Sequence, residues 1–403
     1  MNNEGLACFI LAGGEGQRLL PLTRFRAKPS IPFAGNAALI DLTLLNCHRS
    51  GVREIYILVQ YRYESIVRRV KLNWRAVEQQ RDMAIFFRPA PESAGGYRGT
   101  AQAVWHNLEL VHPTKVRDVL ILSGDHVYDM DYRAFLAQHR ASEADLTVAS
   151  TAVPVEEASR FGILQFDGGL RVTTFREKPA VPDTLRRAGC AMLHASMGVY
   201  LFRAEVLRKA LAAQLSLRRD ADFGRDVLPA MVPDARVFAF PYVDPSGHLG
   251  YWRDVGTLES YYQTQLETAG RRRRFQIRIP PDFPTSPLRR SFWDPLTGTV
   301  CGSDCRIEGE AVDSVIGAGA RIAPHARVTE AVLLENVIVE GGACVRRVIV
   351  DRGVRIRAGT IIDGGTRAGA ASWAGGALSR EIAVISTDGA SSRMPLRRRP
   401  VTT

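Results

Sequence analysis

The last quarter of the chain carries apolar residues at a fixed spacing of six. Three series show it, the last of them shifted in phase: Ile316, Ile322, Val328 and Leu334; Val337, Ala343 and Ile349; Val350, Ile356 and Ile362. Small residues fill the positions between them, as in IGAGARIAPHARV. Irregular strands explain this composition but not the spacing, whereas a parallel β-helix buries one apolar residue per face of each coil. The spacing therefore predicts a hexapeptide β-helix over residues 297–380.

The first 270 residues instead alternate short apolar runs with segments of helical spacing. The clearest runs are LACFIL (6–11), EIYILVQ (54–60), DVLILSG (118–124), DLTVAST (145–151), SMGVYLF (196–202) and RVFAFPYV (236–243). Strands that are apolar on both faces are typical of a mostly parallel sheet covered by helices. The pattern predicts an α/β domain over residues 1–270, with ligands bound beyond the carboxyl ends of its strands.

Residues 271–296 break this pattern with two arginine clusters and five prolines, and they are interpreted as a linker. An arginine run is usually a solvated surface, and nucleic-acid binding is a minor alternative here because no aromatic interleaving or recognition motif accompanies it. The end of the chain, residues 381–403, is expected to be a flexible tail.

Charge and cysteine usage restrict the setting in which the protein works. The formal net charge is +11, which suits nucleic acid, a membrane surface or small anionic substrates. However, no apolar stretch approaches the ~20 residues that span a bilayer, and the N-terminus lacks the features of a signal peptide. Six cysteines without a CxxC pair indicate a reduced, cytoplasmic protein. Neither a membrane nor a nucleic-acid partner is expected.

The loop after LACFIL contains three glycines and then several cations. The dinucleotide fingerprint requires a third glycine where Leu19 stands, and the pattern GxxxxGK[ST] is absent. Two interpretations remain: a nest of backbone N–H groups that binds phosphates, or a plain strand-to-loop turn. Phosphate binding is favoured, and the residues expected to contribute are Gly13, Gly14, Gly16, Arg18 and Lys28.

Two aspartates follow predicted strands. Asp125 ends the run VLILSGD, where a carboxylate commonly holds Mg²⁺ that bridges substrate phosphates, although it could also cap a helix. Asp254 lies in YWRDVGT, and two aspartates on separate strand ends can share one metal ion. The neighbouring His126 is expected to be structural, because the eight histidines show no metal-ligand spacing.

Two further segments offer polar groups for a substrate. FREKP places Glu177 and Lys178 at the end of a predicted strand, where they could hold a sugar hydroxyl and a phosphate or form an unimportant surface pair. GGYRGT brackets Tyr97 with glycines, and it is interpreted as a mobile substrate loop or an exposed turn.

Eight motifs together resemble the bacterial sugar-nucleotide pyrophosphorylases in order and spacing: AGGEGQRL, RAKPSIPF, YRGTA, GDHVY, FREKP, SMGVYLF, DFGRDVLP and YWRDVGTLESYY. Within that group the resemblance is to the ADP-glucose pyrophosphorylases, or glucose-1-phosphate adenylyltransferases. It implies a Rossmann-like nucleotidyltransferase domain followed by a left-handed β-helix, acting on ATP and glucose 1-phosphate with Mg²⁺ and releasing diphosphate for glycogen or α-glucan synthesis. It also implies a homotetramer, or an assembly with a paralogous subunit.

Carried over by position, the resemblance assigns roles to the residues singled out above. Gly13, Gly14, Gly16, Arg18 and Lys28 bind the nucleotide; Asp125 and Asp254 bind the metal; and Tyr97, Gly162, Glu177, Lys178 and Ser196 line the sugar-phosphate site. The catalytic set is Arg18, Lys28, Asp125 and Asp254. The implied reaction is an in-line attack of the sugar phosphate on the α-phosphorus of ATP, without a covalent intermediate.

The sequence also departs from the family. Gln17 replaces a usual threonine, Phe25-Arg26 replaces a basic pair, FAGN (33–36) replaces FGGK, and Gly96 replaces an aromatic, while Gln60 is retained. In the family these positions, Gln17 apart, belong to the effector sites or their coupling, so control by fructose 1,6-bisphosphate and AMP is expected to be weak or altered. Two alternatives stay open: another NTP or sugar specificity, and a non-catalytic regulatory paralogue, which Gln17 allows.

Overall fold

A computed structural model describes residues 5–80, 83–91, 95–112, 115–180, 191–244, 247–284, 286–364 and 383–386. The strands of its first domain are β1 Leu6–Ala12, β2 Pro32–Phe33, β3 Ala37–Ala38, β4 Glu54–Val59, β5 Ala84–Pro89, β6 Asp118–Ser123, β7 His126–Tyr128, β8 Leu146–Pro154, β9 Gly162–Phe166, β10 Val172–Glu177, β11 Met192–Arg203, β12 Val237–Pro241 and β13 Trp252–Asp254. The α-helices are α1 Leu39–Arg49, α2 Tyr63–Gln79, α3 Thr100–Trp105, α4 Tyr132–Ala141, α5 Ala204–Leu217, α6 Leu228–Met231 and α7 Leu258–Leu266.

Nine of these strands form one mixed sheet. Its order is β10-β9-β11-β6-β1-β4-β5, with β8 beside β11 and β12 beside β8. The predicted parallel arrangement is confirmed where β6, β1, β4 and β5 pair, whereas β11 runs antiparallel to β6, β8 and β9. Both faces of β1 are buried: Cys8 and Ile10 pack into one apolar cluster and Ala7 and Phe9 into the other. Burial on both faces explains the continuous apolar run LACFIL.

The sheet topology brings distant loops to one edge. Because β1 and β6 are parallel neighbours, the glycine loop after β1 and the residues after β6 leave the sheet at the same end. A small antiparallel pair, β7 with β13, places Asp254 directly opposite His126. This pairing carries the second predicted aspartate to the loop that contains the first.

The C-terminal region is a parallel β-helix, as predicted. Its strands are β14 Phe292–Asp294, β15 Thr299–Cys301, β16 Arg306–Ile307, β17 Glu310–Val312, β18 Val315–Ile316, β19 Arg321–Ile322, β20 Arg327–Thr329, β21 Val332–Leu333, β22 Ile338–Val339, β23 Cys344–Arg346, β24 Val348–Val350, β25 Arg355–Ile356, β26 Ile361–Asp363 and β27 Ala383–Ile385. They form three sheets, and successive coils pair in parallel on each face. This three-faced architecture agrees with the left-handed β-helix that the resemblance implied.

The register explains why the six-residue series shifts phase in the sequence. Val315 pairs with Val332 and Val332 with Ile349, so one coil takes 17 residues rather than three full steps of six. One series of residues buried in the β-helix core therefore follows steps of six, six and five: Ile316, Ile322, Val328, Leu333, Val339, Val345, Val350, Ile356 and Ile362. Leu334 and Ile349 instead face the first domain.

The segments expected to be a linker and a tail contain ordered contacts. Within 271–296, β14 pairs with β15 and so joins the β-helix. Within 381–403, β27 is buried and pairs with β24, and residues 381, 382 and 387–403 lie outside the described part of the chain. Among the described helices, none has both the length and the apolar character needed to cross a membrane.

Several side chains join the two domains. Arg26 forms an ion pair with Asp351 at 2.7 Å, and Arg69 contacts Glu335 at 3.4 Å. The Asn36 side chain accepts a hydrogen bond from the Ser303 amide at 3.0 Å. Because Arg26 lies two residues before Lys28, this interface is directly connected to the loop that follows β1.

Candidate active site

The glycine loop after β1 is fixed at one end and open at the other. Gly16 has φ +69°, and a Cβ there would lie 2.8 Å from Thr23 Cγ2 and 3.2 Å from Lys28 Cβ, so only glycine fits. The Thr23 hydroxyl donates a 2.8 Å hydrogen bond to the Gly16 carbonyl. A Cβ on Gly14, by contrast, would meet no described atom within 4 Å. The exposed backbone of the loop is therefore accessible to a ligand, as the predicted phosphate nest requires.

Lys28 lies between the two predicted metal ligands. Its Nζ is 2.7 Å from Asp125 Oδ2 and 3.5 Å from Asp254 Oδ1. The Lys28 side chain is only 10% exposed, and the carboxylates are 22% and 19% exposed. The structure thus brings together three residues that are far apart in the sequence, in a partly buried cluster where charge interactions are strong.

The charges of this cluster stabilise one another. Burial by itself raises the pKa of Asp125, but the Lys28 ammonium and His126 outweigh it and hold the pKa of that carboxyl well below its usual range. Burial lowers the pKa of Lys28, yet the Asp125 and Asp254 carboxylates more than compensate and raise it. At neutral pH the lysine is therefore a fixed cation and Asp125 a fixed anion.

Arg18 lies close to Gly256, near Asp254. A Cβ on Gly256 would lie 3.1 Å from both the Arg18 Nη2 and Asp254 Oδ2. The absence of a side chain at Gly256 therefore leaves room for both groups. All four residues of the predicted catalytic set, Arg18, Lys28, Asp125 and Asp254, lie at one site.

His126, which the sequence analysis expects to be structural, also lies in this cluster, and its contacts there are not predictable from the sequence. Its Nε2 lies 3.7 Å from Asp125 Oδ1 and 3.7 Å from Asp254 Oδ1. Its Nδ1 donates a 3.0 Å hydrogen bond to the Met197 carbonyl, which fixes the orientation of the ring. The Ser123 hydroxyl also donates to Asp125. The only signal in the sequence was the position of His126 next to Asp125 in GDH, since its contact with Asp254 depends on the pairing of β7 with β13.

Part of the predicted sugar-phosphate set lies around Glu177, the last residue of β10. A Cβ on Gly162 would lie 2.9 Å from Glu177 Oε2, and one on Gly224 would lie 2.6 Å from the same oxygen. Lys178 contacts Glu177 Oε1 at 3.1 Å and is 62% exposed. Gly224, in the DFGRDVLP motif, is a residue that sequence reasoning did not single out.

Ser196 lies close to this region, where the pairing of β11 with β8 is interrupted between Ser196 and Tyr200. Its hydroxyl donates to the Tyr200 hydroxyl at 3.4 Å. Burial raises the pKa of Tyr200, with further contributions from Asp222 and Glu177, which places these groups in one neighbourhood.

Tyr97 has different neighbours. Its amide donates to Gln60 Oε1 at 3.0 Å, and its hydroxyl accepts a 3.0 Å hydrogen bond from Asn107 Nδ2. The hydroxyl also lies 3.4 Å from the carbonyls of Arg88 and Pro89. These contacts hold Tyr97 beside the end of β5.

Comparison with known proteins shows the family of the chain and of its two domains. Residues 7–270 match the family model described as nucleotidyl transferase, and residues 295–373 match the GlmU-like C-terminal hexapeptide model. A glucose-1-phosphate adenylyltransferase 2 of Alkalilimnicola ehrlichii is 39% identical over 372 residues, which cover 88% of this chain and 87% of the relative. This chain belongs to the glucose-1-phosphate adenylyltransferase family.

Two further relatives with the name glucose-1-phosphate adenylyltransferase extend the comparison. The protein of Hydrogenovibrio crunogenus is 37% identical over 88% of this chain and 87% of its own length. That of Thiobacillus denitrificans is 37% identical over 89% of this chain and 82% of its own length. The chain is accordingly a nucleotidyltransferase enzyme, of a class that generally uses a divalent metal ion.

The residues at which the sequence differs from the adenylyltransferase pattern have the following contacts in the structure. Gln17 Nε2 donates a 2.6 Å hydrogen bond to Glu15 Oε2 within the exposed glycine loop. Phe25 is 66% exposed. Gly96 has φ +84°, a backbone conformation that a residue with a side chain adopts only with strain, so the aromatic of the family pattern would be strained in this loop conformation. A Cβ on Gly96 would lie 2.7 Å from Gln60 Nε2, and a Cβ on Gly13 would also contact Gln60, at 3.6 Å from its Cβ. Gln60 therefore lies between the glycine loop and the segment around residue 96.

Proposed function

We propose that the protein transfers the adenylyl group of ATP to glucose 1-phosphate, releasing diphosphate and forming ADP-glucose. The observation that carries the proposal is the cluster of Lys28, Asp125 and Asp254 beside an accessible glycine loop. The names of the relatives support the choice of substrates. The family resemblance supports a cytoplasmic homotetramer, which sedimentation of the purified chain tests.

In this proposal the chain's own residues position and neutralise the phosphates. The backbone of Gly13, Gly14 and Gly16 binds the triphosphate, and Arg18 and Lys28 offset its negative charge from two sides. Because the sugar phosphate is itself the nucleophile, no side chain has to form a covalent intermediate. The contribution of the protein is alignment of the two substrates and electrostatic stabilisation of the transition state.

Asp125 and Asp254 fit a Mg²⁺ ion. Both are hard oxygen donors, and Asp125 stays ionised at neutral pH because Lys28 lowers its pKa. In the described part of the chain no group of three or more His, Cys, Asp or Glu could hold a metal alone. Mg²⁺ is commonly held by one or two carboxylates together with substrate phosphates, whose charge it neutralises.

The proposed sugar-phosphate site includes Gly162, Glu177, Lys178 and Ser196. The Glu177 carboxylate is close-packed between two glycines, where it can accept hydrogen bonds from sugar hydroxyls, and the exposed Lys178 ammonium can reach the phosphate. The resemblance also assigns Tyr97 to this site. Tyr97 lies beside the end of β5, where Gln60 and Asn107 hold it.

The direct test of the function is diphosphate release with a panel of nucleoside triphosphates and sugar 1-phosphates. ATP with glucose 1-phosphate is expected to give the highest kcat/KM. A tenfold preference for another pair would establish the alternative specificity. Absence of release with every pair, from a folded protein, would instead favour the regulatory paralogue.

Replacing Glu177 with glutamine is expected to raise the KM for glucose 1-phosphate by about 10- to 100-fold, because a hydrogen bond to a charged group contributes roughly 1.5 to 3 kcal/mol. The KM for ATP should change little, because the proposal assigns Glu177 to the sugar and the glycine loop to ATP. Initial-rate measurements that vary each substrate separate the two effects. The exposed Glu205→Gln serves as the matched control, and an equal rise in both KM values would contradict the assignment.

We further propose that anionic effectors control this enzyme weakly. Arg26 is neutralised by Asp351, Phe25 carries no charge, and Asn36, where relatives have lysine, is held by the Pro287 carbonyl and Ser303. The family's effector region therefore lacks free cations at these three positions, and phosphate binding requires them.

Fructose 1,6-bisphosphate or AMP at saturating concentration is accordingly expected to change kcat/KM by less than about twofold, against the 5- to 150-fold range of typical allosteric coupling. Steady-state rates with and without each compound measure the effect. Activation or inhibition beyond fivefold would show that the site retains its function despite these substitutions.

A further inference from the structure

A cavity of about 990 Å³ opens beside the cluster of Lys28, Asp125 and Asp254. The end of β8, the strand β13 and residues 271–278 form its walls, and Asp254 is shared with the catalytic cluster. None of the glycine-loop residues lines it. Its volume lies at the upper end of the range of small-molecule sites, which is about 300 to 1,000 Å³.

The lining of the cavity is strongly positive. Seven of its lining residues are arginines and four are carboxylates. Four of the arginines have carboxylate partners at 2.9 to 3.2 Å: Arg160 with Glu157, Arg253 and Arg274 with Glu267, and Arg278 with Asp129. The positive charge that remains belongs to the run RRRR, which begins the segment interpreted from sequence as a linker.

The remaining three arginines are Arg271, Arg272 and Arg273. Arg273 lies over the Trp293 ring at 4.0 Å and donates to Gln276 at 3.1 Å. Arg271 and Arg272 are exposed and form no ion pair with any residue that the structure describes. On a convex surface such arginines would simply be solvated, but here they line a concavity beside other guanidinium groups.

We infer that this cavity is a second anion site, which binds a polyphosphate through Arg271 and Arg272. Guanidinium groups bind phosphate oxygens through two parallel hydrogen bonds, and a single phosphate would fill little of the available volume. A ligand with several phosphates matches both the clustered charge and the size of the cavity. The concave shape favours a small molecule over an extended nucleic acid, which would need a continuous groove.

Calorimetric titration of the full-length chain with inorganic tripolyphosphate tests this inference. Arg271→Gln combined with Arg272→Gln is expected to weaken binding at least tenfold. The control, Arg306→Gln combined with Arg327→Gln, removes the same charge from two arginines on the β-helix that are 72% and 71% exposed, and it should bind as the wild type does. Thermal unfolding confirms that both double variants are folded.

A third variant, Lys28→Gln, separates the cavity from the proposed active site. Binding that survives Lys28→Gln but not the Arg271 and Arg272 substitutions assigns tripolyphosphate to the cavity, whether or not the enzyme makes ADP-glucose. The inference is overturned if the wild type does not bind tripolyphosphate, if the two double variants lose affinity equally, or if only Lys28→Gln abolishes binding.

ATP titrations distinguish the source of the polyphosphate group. If the wild type binds two ATP molecules per chain and the Arg271 and Arg272 double variant binds one, the cavity takes a nucleotide. If both bind one ATP while tripolyphosphate still depends on the two arginines, the cavity takes a phosphate compound without a nucleoside.

Discussion

Asp125→Asn is expected to lower kcat/KM for ADP-glucose formation by about 10³-fold, close to 4 kcal/mol of lost transition-state stabilisation. The substitution keeps the shape of the side chain but removes its charge. It therefore deprives the proposed metal of a carboxylate ligand and leaves Lys28 with Asp254 as its remaining described counter-charge. Initial rates at saturating Mg²⁺ and ATP measure the loss.

The matched control for this substitution is Asp131→Asn, six residues further along the chain. Asp131 is half exposed and caps α4 by accepting a hydrogen bond from the Arg133 amide. Asparagine caps a helix about as well as aspartate does, and the Arg133 ion pair is half exposed, so Asp131→Asn should change neither the stability by more than a few tenths of a kcal/mol nor the rate. A near-wild-type rate for Asp125→Asn, or an equal loss in both variants, would refute the role of Asp125.

Lys28→Gln is expected to reduce kcat/KM by about 10²- to 10³-fold, the loss that removal of one transition-state donor typically causes. It should also destabilise the fold, because it leaves Asp125 and Asp254 close together without the ammonium between them. The cost is on the order of 2 kcal/mol, somewhat below that of breaking a fully buried pair. Lys28→Arg retains the charge and should recover most of the stability.

The pH dependence of that destabilisation follows from the two shifted pKa values. The pKa of Asp125 is lowered in the folded protein, so its stabilisation is present above its ordinary value of about 3.9 and is lost as the pH falls further. The pKa of Lys28 is raised, so its stabilisation is present below about 10.4 and is lost at higher pH. The difference in Tm between wild type and Lys28→Gln should therefore be largest near neutral pH and narrow at both extremes. A difference that is constant from pH 3 to pH 8 would contradict the ion-pair explanation.

Sequence patterns predicted the architecture because local apolar periodicity determines it. The run LACFIL became a strand buried on both faces, and the six-residue spacing became the coils of the β-helix. The spacing of six does not predict that the third step of each coil, as from Val328 to Leu333, is only five residues long. The sequence shows the spacing along the chain, whereas the length of a coil is fixed by the pairing between coils.

Only part of the site was predictable, because sequence motifs show single residues and not the contacts between distant segments. Asp125 and Lys28 stand in recognisable motifs, but the contact of His126 with Asp254 depends on the pairing of two short strands. Asp351, which forms an ion pair with Arg26, lies in the β-helix domain, far from Arg26 in the sequence. The sequence predicts that the arginines at 271–274 form a solvated surface, whereas the fold places them in the lining of a cavity. Contacts between distant segments leave no periodic trace in one sequence.

The pairing of β7 with β13 also has a consequence for synthesis of the protein. Lys28 leaves the ribosome early, whereas Asp254 is among the last residues of the first domain to be made. A nascent chain that ends before β13 can already possess the glycine loop, but it lacks Asp254 of the cluster of Lys28, Asp125 and Asp254. If Asp254 holds the metal as proposed, the enzyme becomes active only after almost the entire first domain has been translated, and partial translation products are inert.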